Sequence, residues 1–263
     1  MAWLMSATQT ARIVGPALGG FLYVVGPGTT YATAAALFLG AGTCAAIIRT
    51  RRTSRMSEPV VLESVLSGIV FIRNQRVLLG VMSLDMFAVL LGGGATALLP
   101  IYARDILSTG PAGLGFLRSA PAVGALATSI LLAYRPLRWR IGRTLFRAVI
   151  VFGVATVAFS VSSNLALSFA ALAVLGAADV VSVVIRASLV QIRTPGAMLG
   201  RVSAVHSLFT GTSNQLGAFE AGLVAALVGA VPAVLLGGLG TIAVAVLWML
   251  LFPDLRRIRE FEE

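Results

Sequence analysis

The chain has 263 residues, 58% of them hydrophobic and 11% charged, with a mean hydropathy of +0.95. That balance excludes a soluble domain, because so much apolar surface cannot all be hidden in one core. The formal charge of +10 comes from Arg alone, with no Lys; these arginines sit in short connections between apolar runs, which points to a lipid bilayer and excludes nucleic acid as a partner.

Eight apolar runs are long enough to span a bilayer as helices. They are A, Trp3 to Val25; B, Tyr31 to Ile48; C, Val77 to Ala103; D, Gly113 to Tyr134; E, Thr144 to Ser160; F, Leu165 to Val190; G, Val202 to Val228; and H, Pro232 to Phe252. The fold expected is all-α and integral to the membrane. The first run is broken by Gln9 and Arg12 and has no small-residue cleavage site, so no signal peptide is read there.

Alternate connections differ in charge. B–C carries Arg49, Arg51, Arg52, Arg55, Arg73 and Arg76, and D–E carries Arg135, Arg138, Arg140 and Arg143. F–G carries Arg193 and Arg201, and the tail Arg256, Arg257 and Arg259. A–B, E–F and G–H carry none, and C–D only Arg104. The positive-inside rule then puts both termini in the cytoplasm. Tyr23, Tyr31, Tyr102, Tyr134 and Trp248 fall at span ends, where amphipathic rings settle. In the B–C connection, residues 50–76 read as a basic linker followed by an amphipathic helix. Its apolar positions are Val61, Val65, Ile69 and Ile72, on a helix lying at the membrane surface or simply solvated.

Several charged residues lie at membrane depth, where each costs a few kcal/mol unless it faces a partner or a wet cavity. Asp179 is in the middle of F. Arg186 follows seven residues later, about 10 Å along the same face. Both are expected to line an aqueous path, with an interhelical salt bridge as the structural alternative for Asp179. Asp85 lies about 12 Å into C, at a depth comparable to Arg186, so the two are candidates for a pair. Its face continues through Ala88, Gly92 and Thr96. Helix G carries a stripe of His206, Thr210, Ser213, Gly217 and Glu220, with Asn214 beside it. For Thr210, Ser213 and Gly217 a packing seam suffices. Glu220 is different, because no seam requires a carboxylate. Arg118 lies about 8 Å from the outer surface and either snorkels outward or pairs with Glu220. His206 reads as solvated.

Shifting the chain by 202 residues lays Gly15 and Gly20 on Gly217 and Gly222, and Thr8 and Thr10 on Thr210 and Thr212. Parallel six-helix repeats are one recurring transporter plan. On that plan the spans C to H form one complete unit and A–B end another.

The stretch RIVGPALGG, Arg12 to Gly20, resembles the glycine-proline signature of antiporters in the major facilitator superfamily. LLPIYARDIL from Leu98, GPAGLGFLRSAPAVGA from Gly110, GAADVVSVVIRASLVQIRTP from Gly176 and GRVSAVHSLFTGTSNQLGAFEAG from Gly200 resemble the enterobactin-exporter branch of its drug:proton antiporters. The resemblance covers nearly the whole chain. It implies eight helices corresponding to spans five to twelve of a 6+6 fold, with the first four spans lacking. Residues 1–49 would then close the N-terminal lobe, 50–76 link the lobes, 77–252 form the C-terminal six-helix lobe, and 253–263 form a cytoplasmic tail. It further implies proton-coupled efflux of a small molecule, drug-like or a siderophore, across the cell (inner) membrane by alternating access. The alternative is a truncated fragment, or a half-transporter that needs a separately encoded N-terminal part. Within the signature, Arg12, Gly15, Pro16, Gly19 and Gly20 are implied to form a seal or hinge between lobes. Pro16 bends its helix, and Gly15 with Gly19 makes a face for close approach. The chain departs from the branch where Gly196, Ala197 and Leu199 follow Thr194–Pro195. It departs again where Gln215 and Ala218 replace two acidic positions in G. The loop RWRIGR lacks the acidic member of the superfamily's loop motif.

Other chemistry is not expected. The absence of Lys removes any Walker-type phosphate loop, and neither H-E-x-x-H nor G-x-S-x-G occurs. His206 alone makes no metal site, and Cys44 alone makes no intrachain disulfide. No catalytic residue, metal or cofactor is expected. The expected partners are a small-molecule substrate, protons and the lipid bilayer.

Overall fold

The computed structural model describes residues 15, 18–19, 22–23, 25–47, 62–135 and 140–259. The described elements are all helical: α1 (Pro27–Ile47), α2 (Leu62–Asn74), α3 (Arg76–Gly92), α4 (Gly110–Tyr134), α5 (Ile141–Ser160), α6 (Leu165–Arg193), α7 (Gly196–Val228), α8 (Ala230–Leu251) and the short α9 (Pro253–Arg257). Among the described residues, six helical stretches are long and apolar enough to cross a membrane. They are α1, the continuous stretch from Arg76 to Ile106, α4, α5, α6 and α8. Span A lies mostly outside the described residues. Span G forms the 33-residue α7 but is not among the six; its first three-quarters hold Arg201, His206, Thr210, Ser213, Asn214, Gln215 and Glu220. Such a helix is tolerated at membrane depth when its polar side meets protein.

Span C is not one continuous α-helix. It runs regularly to Gly92, turns at Gly93, and continues through short helical pieces to a π-helical stretch, Tyr102–Ile106. Three glycines, Gly92 to Gly94, and Pro100 explain the interruption, since both residue types weaken or break the regular ladder. The break carries Tyr102 inward, correcting the expectation that it belongs to an interfacial belt. Tyr102 is fully buried, donates to the Ser160 carbonyl at 3.0 Å and sets its ring at a tilt to Phe159, centroids 4.5 Å apart. Trp248 also has a specific partner, donating from Nε1 to Ser83 Oγ at 2.9 Å. Tyr31 and Tyr134 remain exposed, as rings at a lipid–water boundary should be.

In the bundle, α6 packs on α4 and α5, α8 on α5 and α3, and α7 on α3, α2 and α8. Leu167, Val174, Leu216, Leu223, Leu236 and Leu250 point outward, as a lipid-facing surface requires. Inside are two apolar clusters. One, around Tyr102, Leu117, Phe159, Leu172 and Val234, fills the end near the α5–α6 turn. The other, around Leu84, Ile141, Phe146, Ile185 and Leu255, fills the basic end.

Because lipid is as apolar as Leu, helix association relies on close contact, and glycines provide it. A Cβ on Gly124 would collide with the Ala173 carbonyl, and one on Gly176 with the Pro121 carbonyl, so α4 and α6 meet backbone to backbone. Gly153 and Gly238 do the same for α5 and α8, each within 3.0 Å of the other's carbonyl by the same construction. Gly217 lies against Leu90 of α3.

Helix α2 docks on the bundle through Ile72, one of the four apolar positions expected, and through Gly68; of the others, Val61 and the Val65 side chain lie outside the described residues. Ile72 and Gly68 are buried, with Gly68 against Arg201 and Val205 of α7, whereas Ile69 is exposed. Helix α1 buries none of its residues.

Gly176→Ala is expected to destabilise the bundle by about 1–3 kcal/mol through overpacking. Gly222, where a Cβ meets nothing within 4 Å, should accept Ala with no loss. Thermal unfolding of both variants in detergent checks the contrast. Equal melting temperatures would remove the close-approach account of α4 and α6.

Candidate functional site

The charged residues of α3 and α6 lie between the two apolar clusters. Asp85 directly follows Leu84 and is about one turn from Ala88, both of the basic-end cluster, and Asp179 and Ser182 fall between Leu175 and Ile185 on α6. The site is therefore enclosed above and below by packed side chains.

At its centre Arg186 Nη1 meets Asp85 Oδ1 at 2.8 Å, both side chains under one-tenth exposed. The pair suggested by equal depth is thus in contact. Arg186 Nη1 also donates to Ser182 Oγ at 2.7 Å, one turn back on α6. The second oxygen of Asp85 faces α7: Thr210 Oγ1 donates to Oδ2 at 3.3 Å, and His206 Nε2 lies 3.6 Å from it. Three helices thus converge on one carboxylate. Arg186 Nε is buried with no partner among the described residues.

Asp179 does not form the direct pair with Arg186; Asp85 has taken it. Asp179 instead borders a cavity of about 20 Å3 together with Asp85, Ser182 and Arg186. That volume accommodates one water molecule. Asp179 also lines a larger cavity of about 370 Å3, with Gly92, Thr96, Arg118, Pro121 and Asn214 among its other walls. It therefore stands at the junction between an open chamber and the buried pair.

Arg118 and Asn214 are both exposed and both reach that chamber; Asn214 Nδ2 also donates to the Thr210 carbonyl at 2.8 Å. The expected pairing of Arg118 with Glu220 is corrected. Arg118 is on α4, which packs on α6, while Glu220 is on α7, which packs on α3. No ion pair joins the two side chains. Glu220, partly exposed between Phe219 and Leu223, makes no ion pair or hydrogen bond with a described residue.

Of the glycine-proline signature, Arg12, Pro16 and Gly20 lie outside the described residues. Gly15 and Gly19 border an open cavity of about 670 Å3 shared with Tyr23, Arg104, Gly110 and Arg118. A Cβ at either would meet no described atom within 4 Å.

The sequence reading missed Ser182, and it set His206 on the polar stripe only as a solvated ring. Ser182 sits four residues before Arg186, and His206 four residues before Thr210 on the polar stripe. Helical spacing was the available signal for both. For His206, exposure was assumed where the ring is in fact only a third exposed.

Residues 4–262 match the model of the transmembrane secretion effectors, a family of the major facilitator superfamily. The chain belongs to that family. It is thereby a multi-pass membrane protein of a transporter family, not of a catalytic one. It is similar to the enterobactin exporter EntS of Shigella flexneri, 26% identical over 268 residues, covering 97% of this chain and 61% of that protein. Similarity to EntS of Citrobacter koseri is 32% identity over 142 residues, 53% of this chain and 32% of that protein. The chain spans less than two thirds of the length of these curated relatives. No solved structure matches it.

Asp85→Asn should cost about 3–5 kcal/mol, because it leaves the Arg186 guanidinium buried and unpaired. Arg186→Gln alone should cost a similar amount, and the double variant less than the sum of the two. Unfolding in detergent, read as a double-mutant cycle, measures the coupling. Strict additivity would remove the pair from the account.

Proposed function

We propose that this chain works in secondary active export, exchanging protons for a small organic molecule by alternating access. One observation carries the reading. Two carboxylates, Asp85 and Asp179, border one water-sized cavity with a single guanidinium, Arg186, which Asp85 contacts directly. With both ionised and the His206 imidazole neutral, the cluster holds one unbalanced negative charge at membrane depth. That is unfavourable in a medium that solvates charge poorly, and one bound proton removes it.

Asp179 is the natural proton carrier, since Asp85 is held by Arg186 and Thr210. The same Asp179 faces the 370 Å3 chamber, whose size suits a small ligand and whose polar groups, Arg118, Asn214 and Thr96, can orient one. A solute entering that chamber therefore changes the surroundings of the proton site directly, which is the requirement for exchange. Rocking of two lobes would then expose the chamber alternately to each side. In this scheme the described bundle is the C-terminal lobe, its helices correspond to the last six spans of a 6+6 fold, and α1 is span six. Arg12, Gly15, Pro16, Gly19 and Gly20 serve as the seal between lobes. Glu220 stands apart from the chamber and its part in the path is secondary. The arginine asymmetry supports an inner-membrane orientation with both termini in the cytoplasm. The relatives' names favour a siderophore, and the apolar walls of the chamber suit drug-like compounds as well.

A second reading rests on α1, which buries none of its residues and exposes Leu37, Phe38 and Leu39. It makes the chain a half-transporter that acts only with separately encoded helices, or a fragment that does not transport. Export by the chain reconstituted alone would dismiss it.

In everted vesicles, Asp179→Asn should abolish proton-driven accumulation while downhill solute exchange persists and the protein remains inserted. Undiminished proton-driven export by that variant would overturn the coupling scheme.

A further inference from the structure

A second polar feature lies away from the transport site, at the basic end. Residues after α8 fold back onto the start of α5. The anchors are apolar: Leu255 is fully buried and Ile258 nearly so, both within the basic-end cluster. The backbone completes the joint, with Gly142 N donating to the Ile258 carbonyl at 3.1 Å and Ile141 N to the Arg259 carbonyl at 3.4 Å. Gly142 itself lies against the Leu255 carbonyl, too close for any side chain.

Burying Leu255 and Ile258 has an electrostatic result. It turns Arg256, Arg257 and Arg259 outward beside Arg140 and Arg143, so that five guanidinium groups border one cleft of about 820 Å3. Among the described residues, no acidic one lines it. Arg140, Arg143, Arg256 and Arg257 have no carboxylate partner among the described residues. Arg140 also holds a left-handed backbone conformation, φ 57°, seldom adopted outside glycine. Like charges are thus gathered on a fixed frame rather than dispersed on mobile loops.

We propose that this cleft binds the headgroup of an anionic phospholipid carrying two phosphates. Guanidinium groups take phosphate oxygens in paired hydrogen bonds. A cleft of this volume, with four of them lacking a carboxylate partner among the described residues, exceeds what one phosphate fills. Its place at the ends of α5 and α8 is the headgroup level of a bundle whose arginines face the cytoplasm, and basic pockets at that level take multiply charged headgroups. The lipid would tie the tail to α5 and fix the bundle's depth.

The test is native mass spectrometry of the full 263-residue chain in detergent, titrated with cardiolipin, with phosphatidylcholine and with pyrophosphate. Cardiolipin should bind at least ~10-fold more tightly than phosphatidylcholine. The variant Arg140→Gln/Arg256→Gln/Arg257→Gln should lose on the order of 100-fold in cardiolipin affinity, at about 5-fold per arginine. A charge-matched control, Arg73→Gln/Arg76→Gln/Arg193→Gln, should keep the wild-type affinity. Should the triple variant fail to fold, Arg256→Gln alone decides, with an expected loss of about 5-fold. Equal loss in the control, or no preference for cardiolipin, overturns the site. Pyrophosphate binding as tight as cardiolipin overturns the lipid as its occupant.

Discussion

The buried contact between Asp85 and Arg186 is the constraint around which the bundle is arranged. Neither group is stable alone at that depth, and together they still need the hydroxyls of Ser182 and Thr210. Satisfying them fixes how α3, α6 and α7 face one another. Leu84 and Ile185 then close the basic end and Leu172 and Leu175 the other, so the charges are walled by packed hydrocarbon on two sides. The only breadth left to the polar region is sideways, towards Asp179 and the chamber beyond it.

Much of this was legible from residue order. Apolar runs interrupted by arginines located the helices to within a few residues for α4, α5, α6 and α8. The depth of Asp85 and Arg186 was enough to suggest their pairing, because helical rise converts sequence distance into height. Height is not adjacency, however. Arg118 and Glu220 also share a level, yet they stand on α4 and α7 and form no ion pair. Nothing in a single chain of letters distinguishes the two cases. The interruption near Gly93 escaped for another reason. A hydropathy window averages over Gly92, Gly93, Gly94 and Pro100, so a run can stay apolar while its backbone changes course, and Tyr102 was consequently placed at a surface it does not reach.

Helix α7 shows why composition alone misjudges a membrane protein. Its polar side chains exclude it from an apolarity criterion that α1 passes, yet α7 is held by α2, α3 and α8, and α1 buries nothing. Gly217 lets the α3 backbone come close, and the neighbouring polar groups then find partners on α3 instead of in lipid. The sign of a residue's contribution depends on what faces it.

The reciprocal contact of α4 and α6 has a mechanical consequence. Gly124 rests on the Ala173 carbonyl and Gly176 on the Pro121 carbonyl, so two notches interlock in opposite directions. Sliding either helix along the other, even by a fraction of a turn, would drive a carbonyl into backbone. The two therefore behave as one rigid beam, and Asp179, three residues beyond the second notch, travels with that beam as a fixed fitting.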